Sequence, residues 1–312
     1  MALSILLATY NGEKYLSTQL DSLLSQTYND FKIYISDDCS KDSTQNIIDE
    51  YVSKYPEKII DVKNKEHFGN AQNNFLSLAE KVDSDLYMFC DQDDKWLPEK
   101  VEKTVAAYNS VENKNQPILV HSDLVVVDEN LKEINPSFFD MMQLKKNLTD
   151  WRSFAVQNYV TGCTMLVNNV LVDLYKQNRD KINKENILMH DYFFAQIAAF
   201  AGQIIFIDEG LMLYRQHGNN SVGAKNVNSV GYAIEKLKIS SKAKNVNVRG
   251  QLQIVEVLKF LPKEKLDSTE IQVLQEYSQL IKKTKLQRIK FLVKNKLLKN
   301  GLKRKIFQLL TI

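Results

Sequence analysis

Four short apolar runs recur through the first ninety residues, at 3–8, 31–36, 59–62 and 86–90, and the segments between them carry helical spacing. Leu3–Ala8 ends at Thr9-Tyr10-Asn11-Gly12, a turn signal, and reads as a buried strand. Tyr15, Leu16, Leu20, Leu23 and Leu24 then mark one face of an amphipathic helix that Asn29-Asp30 closes. Phe31–Ser36 alternates Ile33 with Ile35, and the SKDST behind Asp37-Asp38 supplies an N-cap for a helix through Ile47, Ile48 and Tyr51. A third strand near Ile59–Val62, a polar loop and a helix from Ala71 to Lys81 lead to the strand at Leu86–Cys90. Strand and helix alternating through short connections predict an α/β fold built on a mostly parallel, doubly wound sheet with helices on both faces.

The pattern continues with a helix at Val101–Tyr108, a strand at Pro117–Val127 that turns at Asp128-Glu129-Asn130, and an irregular stretch at Asn135–Thr149. Trp151–Tyr159 reads as helical, Thr161-Gly162-Cys163-Thr164 precedes an apolar MLV, Met189–Ala201 is a strongly apolar helix, and Gln203–Ile207 is a last strand. An exposed segment, Tyr214–Ser221, is expected to follow. Residues 1–225 therefore read as one unit and 226–312 as a basic helical appendage.

Doubly wound sheets bind ligands in the crevice at the carboxyl ends of their strands. Here three such ends carry Thr9-Tyr10, Asp37-Asp38 and Asp91-Gln92-Asp93-Asp94. Neither GxGxxG nor GxxxxGK[ST] is present, so any nucleotide must be held by side chains and a metal rather than by a glycine-rich phosphate cradle. Three carboxylates after a buried strand are costly unless a cation meets them. Oxygen ligands at D-x-D spacing suit Mg²⁺ or Mn²⁺, which complete their shells with water and substrate phosphates. The competing reading of the same tetrapeptide is a solvated turn.

Cys39, Cys90 and Cys163 are odd in number and form no CxxC, which suggests thiols kept reduced and used as small core residues. The N-terminus lacks a basic n-region, and the longest strongly apolar stretch, near Ala195–Ile207, falls short of the roughly 18 residues that span a bilayer. A cytoplasmic protein is expected. The overall charge of +3 conceals a division: residues 1–276 carry −8, and residues 277–312 hold eleven Lys or Arg with no acid, or +11. Leu286, Ile289, Val293, Leu297, Leu302 and Ile306 recur near helical spacing among those cations, a pattern suited to the surface of an anionic membrane. The same pattern is compatible with packing onto the unit at residues 1–225, with a homodimer contact or with a solvated face; nucleic acid is disfavoured because no binding motif accompanies the lysines.

Taken together, ATYNGEKYL at Ala8–Leu16, ISDDCSKDST at Ile35–Thr44, FCDQDDKWLPEK at Phe89–Lys100, HDYFF at His190 and YRQHGNNSV at Tyr214 resemble the inverting glycosyltransferases of family 2, which have the GT-A fold. Within that family the chain is most similar to bacterial rhamnosyltransferases of surface polysaccharides, notably the streptococcal rhamnan cell-wall enzymes. The resemblance covers roughly residues 2–222.

It implies that Ala8, Thr9 and Tyr10 line a base pocket and that Asp38 accepts the pyrimidine N3–H, a role open to an acceptor-only carboxylate. Helix capping is the alternative for the Asp37-Asp38 pair. By the same resemblance Asp93 is the metal ligand, Asp91 and Gln92 lie at the donor nucleotide with Asp91 reaching the ribose or a metal-bound water, and Asp94 stands behind them. Asp191 falls at the catalytic base, which takes the proton of the attacking sugar hydroxyl; alone, it also reads as the cap of a Tyr192–Ala201 helix. Arg215 and His217 are expected at the diphosphate, His217 with a possible place on the metal. Gln72 departs from the family pattern, in which an Arg often faces the diphosphate. The implied reaction moves L-rhamnose from dTDP-rhamnose to a polyprenyl-diphosphate-linked saccharide, with Mg²⁺ or Mn²⁺, at the inner face of the cell membrane. UDP-galactose or UDP-N-acetylglucosamine as donor, or a sugar-nucleotide-binding membrane module without catalysis, are the other readings.

Overall fold

The computed structural model describes residues 1–64, 66–218, 240–261 and 266–312, with the backbone alone for 240–247. The first half follows the alternation in the sequence: β1 (Leu3–Thr9), α1 (Leu16–Leu24), β2 (Lys32–Asp37), α2 (Thr44–Lys54), β3 (Ile59–Asp61), α3 (Ala71–Lys81) and β4 (Leu86–Asp91). These four strands lie side by side in the order β3-β2-β1-β4, all parallel. The register sets Thr9 beside Asp37 and Ala8 beside Asp91, so the polar strand ends meet at one edge.

Period-two alternation divides the strands between two cores. Leu6, Ala8, Tyr87 and Phe89 face one apolar cluster, together with α3. Leu3, Ile5, Leu7, Met88 and Cys90 face the other, which contains Leu16, Leu20, Ile33 and Ile48. Each of these strands is covered on both faces, as a parallel sheet requires.

Beyond β4 the sheet becomes mixed. β5 (Lys95–Trp96), α4 (Lys100–Asn109), β6 (Ile118–Val127), β7 (Glu133–Asn135), α5 (Phe138–Met141), α6 (Trp151–Val156), β8 (Leu166–Asn168), α7 (Asn169–Asn178), α8 (His190–Ala201) and β9 (Gln203–Arg215) follow in chain order. β8 joins β4 and β6 antiparallel, β9 runs parallel to β6, and β5 closes antiparallel on β9. The last strand is longer than the sequence suggests, running through Tyr214 and Arg215, which are buried where an exposed segment was expected. Pairing of Lys95 with Leu213 and Trp96 with Met212 draws it across the acidic turn. Residues 219–221 of that expected segment, and the expected boundary at 225/226, lie outside the described residues.

Among the described residues beyond β9, the α-helices are α9 (Ser240–Leu258), α10 (Ser268–Ser278), α11 (Lys285–Lys294) and α12 (Leu302–Thr311). Ile254, Val257, Leu274, Tyr277, Leu280, Leu292 and Leu297 are buried in the same cluster as Trp151, Phe193 and Phe200, so these C-terminal helices share a core with the α/β region. Reciprocal capping boxes, Asp267 with Glu270 and Thr284 with Gln287, fix the starts of α10 and α11. Gly301, at φ +84°, separates α11 from α12, so the expected apolar stripe is broken. Leu297 turns inward, whereas Leu286, Val293, Leu302, Ile306 and Leu310 remain exposed.

Candidate active site

At the carboxyl edge of β1, β2 and β4 lies a cavity of about 1350 Å³. Thr9, Asp38, Asp91, Asp93, Asp191 and His217 all line it, so five segments distant in sequence converge on one cleft.

One end of the cavity is built around a staple between the first and fourth strands. Gln92 Oε1 accepts from the Thr9 hydroxyl and from Tyr10 N (2.8 Å), and its Nε2 donates to Tyr10 O (3.1 Å). Gly12 permits this, because a Cβ there would lie 2.5 Å from Gln92 Oε1 and 2.7 Å from Thr9 Oγ1. Gln92 thus shapes the pocket through the β1 turn. The Asp38 carboxylate accepts the backbone N–H of Phe68 and of Gly69 (3.0 Å), which hangs the 67–69 loop over the site. Asp37 is spent locally, accepting from Ser40 N at 2.9 Å and from the Ser40 hydroxyl, while α2 begins after Ser43; neither acid caps that helix. Tyr10 is half exposed and its ring lies 5.2 Å from the imidazole of His67, a residue the sequence did not single out.

The three acids after β4 divide their work. Asp94 is fully buried, and its Oδ1 accepts Arg215 N at 3.0 Å. Asp93 Oδ2 lies 2.8 Å from His217 Nε2. Burial, then the charges of Asp93 and Asp191, push Asp91 up to about 7. Burial, then the charges of Asp93 and Asp91, raise Asp94. Among the described residues no Lys or Arg forms an ion pair with Asp91 or Asp93. Two carboxylates with no Lys or Arg paired to them, and an imidazole nitrogen beside Asp93, fit a divalent cation with oxygen and nitrogen ligands. Donor atoms of Asp91, Asp94 and Cys163 also lie within 4.8 Å of one another. That set suits a hard cation less well, because burial raises the Cys163 thiol and keeps it protonated, and Asp94 already holds an amide. Asp91, Asp93 and His217 are the residues that would hold Mg²⁺ or Mn²⁺.

Asp191 enters the same cavity from the first turn of α8. The helix begins at His190, with Met189 as its N-cap, so Asp191 lies in the first turn and is not the cap. Its Oδ1 accepts from Asn158 Nδ2 (3.0 Å) and from Tyr192 N, and its Oδ2 accepts Gly162 N (3.1 Å). Burial pushes the carboxyl up to about 7 against these three donors. A carboxylate fixed by three N–H groups and titrating near neutrality is a competent general base. Gly162 is required by close approach, since a Cβ there would meet His190 Nε2 at 2.7 Å. Asn158 lies within the stretch read as helical, Trp151–Tyr159, but the helix ends at Val156, and the residue type alone did not mark it as a partner of Asp191.

The expected cations are arranged differently. Arg215 is 4% exposed and does not line the cavity. Its Nε donates to Asp93 O (2.8 Å), its Nη1 donates to Glu129 O, and the guanidinium lies 4.5 Å from the Tyr15 ring centroid. It braces the acidic turn from behind, where the sequence suggested a diphosphate ligand. Gln72 does face the cavity, but its Nε2 donates to Lys184 O (3.1 Å), so α3 contributes no cation. Arg249, Lys299 and Arg304 line the cavity instead, all from the C-terminal region.

With this geometry described, relatives are informative. The family model described as glycosyl transferase family 2 matches residues 4–175. The chain belongs to glycosyltransferase family 2. A member from Shigella flexneri, dTDP-rhamnosyl transferase RfbG, is 33% identical over 230 residues, covering 70% of this chain and 74% of that one. Solved glycosyltransferases share the GT-A architecture. Staphylococcus aureus TarS 1–349 in complex with UDP superposes with a TM-score of 0.57 at 17% identity, covering 92% of this chain and 73% of its own. A mannosyltransferase from Pyrobaculum calidifontis in complex with GDP-Man and Mn²⁺ gives 0.51 at 14% identity, over 89% and 69%. This family 2 member is therefore a glycosyltransferase with a GT-A fold, extended by C-terminal helices.

Proposed function

We propose that the enzyme is an inverting, divalent-metal-dependent rhamnosyltransferase that moves L-rhamnose from dTDP-rhamnose to a saccharide on a polyprenyl diphosphate. The observation that carries the reaction class is the single cavity shared by Asp38, the Asp91–Asp93–His217 group and Asp191. The similarity to a dTDP-rhamnosyl transferase supports the choice of donor. In this reading Thr9, Tyr10 and Asp38 receive the base, with Asp38 accepting N3–H through lone pairs that Phe68 N and Gly69 N leave free. Asp91 orients the ribose side of the donor. Asp93, Asp91 and His217 hold the metal, which when bound offsets the negative charge of the departing diphosphate.

Asp191 removes the proton of the acceptor hydroxyl as its oxygen attacks the anomeric carbon, and the bond to the nucleoside diphosphate breaks on the opposite side. One displacement inverts the configuration. Asn158, Gly162 N and Tyr192 N hold the base in its aim.

In the same reading residues 1–225 form the catalytic unit and residues 226–312 bring it to the inner face of the cell membrane. Among the described residues no helix is long and apolar enough to cross a bilayer. On α12 the exposed Leu302, Ile306 and Leu310 recur at helical spacing, and Lys303 and Lys305 flank them, the pattern of a helix lying in a membrane interface. The test is product formation followed by mass spectrometry, from a panel of nucleotide sugars with a synthetic prenyl-diphosphate saccharide, with and without EDTA. Product from dTDP-rhamnose that EDTA abolishes is expected. Product from a UDP-hexose alone would overturn the donor, and turnover unchanged by Asp191→Asn would overturn the base.

A further inference from the structure

Two of the cations that the C-terminal region brings to the cavity are tethered to backbone carbonyls of the preceding region. Arg249 Nη2 donates to Ile187 O (2.8 Å) and Glu185 O (3.3 Å), just before α8. Arg304 Nη1 donates to Gln143 O (3.2 Å) and its Nη2 to Met142 O. Asn300 N, next to Lys299, donates to Gln157 Oε1 (3.0 Å), and Gln157 precedes the Asn158 that holds Asp191. Among the described residues neither Arg249 nor Arg304 forms an ion pair with a carboxylate. A guanidinium tethered by carbonyl oxygens keeps its full charge and a fixed orientation, which prepares it for an anion.

Helix α12 adds a direction. Leu302, Ile306 and Leu310 are 73%, 51% and 64% exposed. The opposite side carries Arg304 and Phe307, which line the cavity, and Gln308 and Thr311, which are buried. One helix therefore separates an exposed apolar stripe from a cationic cavity wall, with the base beyond. That order, apolar then cationic then basic catalyst, matches a molecule built as lipid, diphosphate and sugar.

Resting on the transferase reading above, we infer that Arg249, Lys299 and Arg304 form a subsite for the diphosphate of the acceptor, separate from the donor diphosphate at Asp91, Asp93 and His217. The subsite makes the enzyme select a carrier-linked saccharide over the same saccharide without the anion.

The test uses the full chain in vesicle-free buffer with dTDP-rhamnose and two acceptors: one saccharide on a short, soluble prenyl diphosphate and the same saccharide on a neutral alkyl group. The wild type is expected to favour the diphosphate acceptor at least about tenfold in kcat/KM, as charged hydrogen bonds of this kind warrant. Arg249→Gln and Arg304→Gln each collapse that preference by raising KM for the diphosphate acceptor, and Arg304→Lys restores part of it. Direct binding of the diphosphate acceptor, measured without donor, is expected to weaken in parallel. Equal use of both acceptors by the wild type would overturn the inference, as would variants that raise KM for the donor instead. Loss of binding to phosphatidylglycerol vesicles by Arg304→Gln with acceptor preference intact would assign the cations to lipid headgroups and also overturn it. A wild type that turns over no nucleotide sugar, yet binds the diphosphate acceptor through Arg304, would retain this subsite and overturn the proposed reaction.

Discussion

Replacing Asn158 by Ala removes one of the three donors that hold Asp191 and leaves the backbone pair at Gly162 and Tyr192 in place. A hydrogen bond to a charged group contributes about 1.5–3 kcal/mol, and about 1.4 kcal/mol corresponds to one pH unit. The Asp191 midpoint, about 7 in the intact site, therefore moves to about 8 or above. At pH 7 the ionised fraction falls from about one half to about one tenth, so kcat/KM drops about fivefold. At pH 9 both forms are almost fully ionised, and the difference shrinks to less than about twofold. The assay is initial rate of product formation between pH 5.5 and 9.5 at saturating divalent metal, with the melting temperature followed at each pH. Asn158 Oδ1 also accepts Val160 N (3.0 Å), so some loss of stability accompanies the change. A loss of the same proportion at every pH would refute the reasoning, because it would mean that Asn158 acts through geometry alone and not through the charge of the base.

Asp93→Asn is expected to weaken Mn²⁺ binding at least about 100-fold by calorimetry and to reduce product to about 1% or less, since it removes the acid paired with His217. Asp91 and Asp191 both have carboxyls raised above their unfolded value, so the stability tied to them is complete below about pH 4 and is lost as pH rises through about 7. Metal-free protein should accordingly melt at lower temperature at pH 8 than at pH 5.5, and added Mn²⁺ should recover more of that loss at pH 8; a melting temperature that rises over this window contradicts the assignment. Gly162→Ala brings a Cβ to 2.7 Å from His190 Nε2, a ring packed 4.3 Å from that of Phe75, and should cost about 1–3 kcal/mol in denaturant unfolding. Ile306→Glu with Leu310→Glu should abolish sedimentation with anionic vesicles while leaving the circular dichroism spectrum unchanged, because both side chains are exposed.

The first half of the fold was legible because its information is local. Apolar runs of strand length, helical periodicity and turn residues fix β1 to β4 within a residue or two and place α1 to α3, although α1 ends at Leu24, short of the Asn29-Asp30 expected to close it, and parallel topology then brings the polar strand ends to one edge. Legibility failed where pairing is non-local. Three-residue β8 has too little sequence to show a period, yet it joins β4 to β6. Tyr214 and Arg215 looked exposed because polar Asn and Gly follow them, and pairing of β9 with β5 and β6 buries them.

Residue types by themselves determined which chemistry this chain can support: carboxylates placed after buried strands, a helix opening on Asp191, and a tail carrying all its charge with one sign. Only the tertiary structure decided where those charges act. It withdrew Arg215 behind the acidic turn and sent Lys299 and Arg304 of the tail, with Arg249 ahead of it, into the cavity. It also brought Asn158 to Asp191. The physical reason is that a side chain's charge is written in the sequence, whereas its partner depends on which backbone carbonyls, amides and rings the fold brings within hydrogen-bonding distance.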